Sequence, residues 1–77
     1  MTHPNCPYVR KNPDARRVYD YIEEHGPVTA MQMGMDLPDL SPNQRSHISA
    51  KLRNLGLITG RRVPMSGRVT IEWRVLR

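Results

Sequence analysis

Nine side chains in the second half of this 77-residue chain are the candidates to meet nucleic acid: Asn43, Gln44, Arg45, Ser46, His47 and Lys51 in one short stretch, then Arg61, Arg62 and Arg68. Asparagine, glutamine and arginine can pair two hydrogen bonds with a base edge, and arginine and lysine neutralise phosphate. The surrounding charge is placed to match. Residues 41–77 hold eight basic side chains (Arg45, Lys51, Arg53, Arg61, Arg62, Arg68, Arg74, Arg77) against Glu72 alone, a net of +7. The first forty residues hold four basic against six acidic, a net of −2, so the overall +5 belongs wholly to the second half. A field gathered on one part of a small chain attracts a polyanion such as double-stranded DNA.

Other chemistries find no support. There is no G-x-S-x-G, H-E-x-x-H, phosphate loop or paired-carboxylate arrangement, and Cys6 has no structured neighbourhood to lower its thiol pKa, so catalysis is not expected. His3 and Cys6 have a spacing seen in metal sites, but two ligands do not make one, and no metal or cofactor is expected. One cysteine excludes an internal disulfide, leaving packing alone to hold a single small core. No apolar run approaches a membrane span, and the N-terminus lacks the apolar stretch of a secretory signal. The expectation is a soluble, cytoplasmic protein.

The elements that position these residues can be read in order. Residues 1–11 carry two prolines and no apolar periodicity, and read as a loose N-terminal arm before a domain over 12–77. Asn12-Pro13-Asp14 is an N-cap, a first-turn proline and an acid at the positive end of the dipole, predicting a helix over about 13–25 that turns Ala15, Val18, Tyr19 and Ile22 inward. Gly26-Pro27 ends it. Thr29 can cap a short helix over about 30–37, in which Gly34 predicts the close passage of another helix backbone and Met31, Met33 and Met35 read as core filling. Ser41-Pro42 repeats the cap-and-proline start for a third helix over about 42–55. Ile48, Leu52 and Leu55 face in, and Asn43, Ser46, His47, Ala50 and Asn54 lie on the far side, with Lys51 and Arg53 at the margins. After Gly56 the period changes to two: Val69, Ile71, Trp73 and Val75 alternate with polar residues. This predicts a hairpin over about 57–76, with the four apolar residues, Trp73 included, in the core and the turn at 64–67.

The residues now carry a resemblance. Gly26-Pro27-Val28-Thr29-Ala30, followed by Met33-Gly34 and Leu37, resembles the start of the helix-turn-helix in bacterial winged helix-turn-helix regulators. Leu40-Ser41-Pro42 and Leu52 to Ile58 resemble the family's passage from recognition helix into wing, and the similarity covers about residues 13–76. It implies an α+β fold of three helices with a C-terminal β-hairpin wing, binding duplex DNA as a transcriptional or DNA-transaction regulator of bacterial or phage style. The third helix would enter the major groove with Asn43, Ser46 and His47 at base edges, and Arg61, Arg62 and Arg68 would decorate the wing. Two features depart from the family pattern: Ser49 stands where an inward apolar residue is usual, and an extra residue lies near Pro38-Asp39. The same fold also serves as a protein-docking module, so the alternative is an adaptor whose basic hairpin meets an acidic partner. A monomer or weak homodimer is expected.

Overall fold

The computed structural model describes residues 6–76, which form four helices and a three-stranded antiparallel sheet in an α+β arrangement. In chain order these are α1 (Pro7–Lys11), α2 (Pro13–His25), β1 (Val28–Thr29), α3 (Ala30–Asp36), α4 (Pro42–Asn54), β2 (Ile58–Met65) and β3 (Arg68–Val75). The sheet order is β1-β3-β2.

Each main helix begins where a side chain satisfies its free N–H groups. Asn12 Oδ1 accepts from the N–H groups of Asp14 and Ala15 at 3.1 and 3.2 Å, and Thr29 Oγ1 accepts from Gln32 N–H at 3.1 Å. Ser41 and Gln44 form a reciprocal capping box, with Ser41 Oγ accepting from Gln44 N–H at 3.1 Å and Gln44 Oε1 accepting from Ser41 N–H at 2.8 Å. The fork of Arg17 meets both oxygens of Asp39 at 2.5 and 2.9 Å, tying α2 to the α3–α4 turn.

Among the described residues, thirteen buried apolar side chains make one core. Val9, Val18, Ile22, Val28, Met33, Leu52 and Ile58 supply its most enclosed side chains. α2 contributes Ala15, Val18, Tyr19 and Ile22 as expected, with Tyr21 added. Three readings of the sequence are corrected here. Pro7–Lys11 is a helix, not a loose arm, because Val9 sinks fully into the core and Cys6 packs against it; residues 1–5 lie outside the described residues. Met31 and Met35 are 48% and 75% exposed, so Met33 alone of the three methionines fills the core. Leu55 is also exposed: it is the C-cap of α4, where the chain reverses through Gly56 at φ +77°, and Leu57 packs inward in its place. Ser49, which stands where an inward apolar residue is usual, is buried beside Ile48 and Leu52 despite its hydroxyl.

The hairpin closes through Ser66 and Gly67, both at positive φ (+50° and +79°), which is the type I′ geometry that follows the right-handed twist of paired strands. Its register pairs Gly60 with Trp73. A Cβ on Gly60 would lie 2.6 Å from the indole, so the glycine is what lets Trp73 lie flat across β2. Trp73 and Val75 pack against the core, Ile71 is half-buried, and Val69 is 68% exposed. Strands of eight residues are about 26 Å long, and the outer part of the hairpin, with Met65, Arg68 and Val69, faces α3 and the start of α4 across an open cleft.

Candidate nucleic-acid interface

The third expected helix is α4, and its surface follows from how little of it is buried. Only Ile48, Ser49 and Leu52 face the core, and Asn43, Gln44, Ser46, His47, Lys51, Arg53 and Asn54 are exposed. No acid lies between Pro42 and Asn54, and Lys51 and Arg53 sit in the last turn, where cations suit the dipole. Asn43, Ser46 and His47 therefore stand together on the open side of the helix.

Three of the expected residues on α4 are engaged within the protein. Gln44 is held by the capping box. Arg45 turns back from the surface, and its guanidinium donates to the carbonyl oxygens of Leu40 and of Leu37, the second at 3.4 Å, closing the turn between α3 and α4. It lies over Gly34, where a Cβ would be 2.9 Å from Nη2. The glycine thus makes room for a side chain, not for the helix backbone expected from sequence. Lys51 remains exposed but holds its ammonium 5.8 Å from the centre of the Tyr8 ring, a cation–π contact to α1 that the sequence reading had no reason to seek.

On the hairpin, antiparallel pairing sorts the arginines by face. Arg61 lies opposite Glu72 and its Nε donates to Oε1 at 2.9 Å, so the one acid of this half of the chain is already matched. Arg62 lies opposite Ile71 on the helix-facing side, and Arg68 opposite Met65 beside the turn; both are exposed, and among the described residues no carboxylate pairs with either. Arg74, on the same side as Arg61, and Arg53 on α4 are exposed cations left out of the expected site. The period-two pattern of β3 was the available signal for Arg74, and the helical wheel, which puts Arg53 at the margin of α4, the signal for Arg53.

Among the described residues no group of three or more His, Cys, Asp or Glu side chains could hold a metal, and no helix is long and apolar enough to cross a membrane. The strongest titration effect lies away from the basic surface. The Tyr21 hydroxyl donates to Asp36 Oδ2 at 2.5 Å, and burial, reinforced by that carboxylate, pushes the phenol up to about 12. Compared with known proteins, the chain matches no family model, no curated protein and no solved structure.

Proposed function

We propose that this chain is a winged helix-turn-helix domain that binds double-stranded DNA, with α4 in the major groove and the β2–β3 hairpin as a wing on the neighbouring backbone. The observation that carries the reading is α4 itself. A thirteen-residue helix that buries only three side chains gains little from packing, and its composition is accounted for by what it presents: amides, a hydroxyl, an imidazole and cations, with no acid. The order α3, turn, α4, hairpin agrees with that of the family.

In this reading the work divides by residue type. Arg62, Arg68, Arg53 and Arg74 neutralise phosphates and release counterions, supplying affinity without sequence preference. Asn43, Ser46 and His47 meet base edges and supply the preference. Arg45 and Gln44 contribute indirectly, by fixing the turn that sets the angle of α4. The protein is a DNA-binding regulator and not an enzyme, acting in the cytoplasm beside the nucleoid.

Fluorescence anisotropy with a labelled duplex at two salt concentrations tests this. Binding should weaken steeply as salt rises, with a slope of log K against log salt of about −0.9 per phosphate contact. A chain with no measurable duplex affinity at low salt is the protein-interaction adaptor instead.

A further inference from the structure

The surface assigned to DNA borders an apolar cleft and shares Ser46, Arg62 and Arg68 with it. Between α3, the start of α4 and the hairpin lies a cleft of about 420 Å³ walled by Met31, Met65, Val69, Ile71 and Trp73. It continues past Val69 and Ile71 into a second hollow over Pro64 and Arg62, so it is elongated. Its apolar wall is accessible: Met31 is 48% and Val69 68% exposed. Ser46, Thr70 and Arg68 in the lining can donate to a phosphate, but contact with phosphates and sugars gives no account of the exposed methionine and valine beside them. Burying that wall against apolar side chains is favourable, and methionine adapts to irregular shapes.

The charge around the cleft indicates what would fill it. Arg68 lines the first hollow and Arg62 the second, and neither lining includes an acid. Both guanidinium groups lack a carboxylate partner among the described residues. We propose that this cleft docks an acidic peptide segment of a partner protein, its apolar anchors entering between Met31, Val69 and Trp73 and its carboxylates pairing with Arg62 and Arg68. A basic segment would meet two unpaired cations at the mouth, and a second copy would bring a hairpin of the same charge. Trp73, the sole tryptophan of the chain, forms part of the wall and reports on occupancy.

A displayed library of short random peptides, selected on the whole chain, tests the proposal. The counter-selection uses the double variant Met31→Ser, Val69→Ser, in which both positions are substantially exposed and the charge is unchanged. Enriched peptides should combine large apolar residues with Asp or Glu. A synthetic copy of one should shift Trp73 emission saturably, and its affinity should fall about tenfold or more in the double variant and also in Arg68→Ala. Duplex affinity of the double variant, measured in parallel, should stay within about twofold, since no phosphate contact is removed. The proposal fails if no peptide is enriched over the counter-selected variant, if the enriched peptides are basic or lack acids, or if Arg68→Ala binds them unchanged. It fails equally if Trp73 emission depends on protein concentration without peptide and the double variant abolishes that dependence, which would assign the cleft to a second copy.

Discussion

The guanidinium of Arg45 occupies the space that a side chain at position 34 would fill, 2.9 Å from the Cβ that Gly34 lacks. One residue thereby pins α3 to α4 through the carbonyl oxygens of the intervening turn, and the other gives up helix propensity to admit it. Gly34→Ala should gain up to about 1 kcal/mol from propensity where Arg45 is absent, and less where the guanidinium must shift. A double-mutant cycle by denaturant unfolding should therefore show Gly34→Ala more favourable in the Arg45→Ala background than in the wild type. Equal effects in both backgrounds would refute the contact.

At Gly60 the neighbour is a rigid ring and not the end of a flexible chain. A Cβ at position 60 would lie 2.6 Å from the indole of Trp73 and 3.0 Å from Ile71 Cγ2, so neither can yield without moving the strand. Gly60→Ala should cost about 1–3 kcal/mol and alter Trp73 emission in the folded state, as read by thermal melts and fluorescence.

Leu52 and Ser46 share α4 but face opposite ways, the first fully buried and the second exposed. Leu52→Ala should lose about 2–5 kcal/mol, since a core this small collapses poorly around a cavity. Ser46→Ala should change the melting temperature little. Equal losses would mean that the face of α4 is wrongly assigned.

Tyr21 makes stability sensitive to alkali. Because the folded state raises the phenol to about 12 from an ordinary value near 10, it holds the proton more tightly than the unfolded chain does. The contribution is thus fully present below about pH 10 and is lost as pH rises toward 12. Tyr21→Phe should be less stable than wild type by about 1 kcal/mol at neutral pH, with the gap closing across that alkaline window. Denaturant titrations at several pH values check the sign.

For the DNA reading, the hairpin arginines should not be equivalent. Arg62→Ala and Arg68→Ala should each flatten the salt slope by up to ~0.9, and Arg61→Ala by less, because Glu72 already engages Arg61. Asn43→Ala and His47→Ala should instead erode discrimination between a preferred site and random duplex by about 1–3 kcal/mol while sparing the slope. Anisotropy titrations across salt separate the two behaviours.

The parts of the fold legible in the sequence are those whose causes are local. Asn12-Pro13 and Ser41-Pro42 announce helices because a cap and a proline act within one turn, and both helices begin there. α1 has one turn and one buried side chain, Val9, too little to make a period, and β1 is two residues whose pairing with Trp73 and Glu72 is set by the tertiary fold. Val69 continues a faultless alternation, but alternation says which side a residue faces and not whether anything covers that side. Arg45 was within reach: on the helical wheel it falls on the same face as Ser49 and Leu52, where an arginine must find acceptors. The cleft needed three separated segments at once, which no spacing along the chain reveals.

The hairpin is clamped at one end only. β1 and the core grip it at Val75, Trp73 and Ile58, and the eight-residue strands run out to Ser66-Gly67 past an open cleft that separates them from α3 and the start of α4. Mechanically it is a cantilever: its tip can bend to follow a curved surface at the expense of twist in one ribbon, without disturbing the side chains that hold the helices together. The compliance of the proposed binding surface is thereby separated from the rigidity of the fold, with Gly60 and Trp73 at the fulcrum.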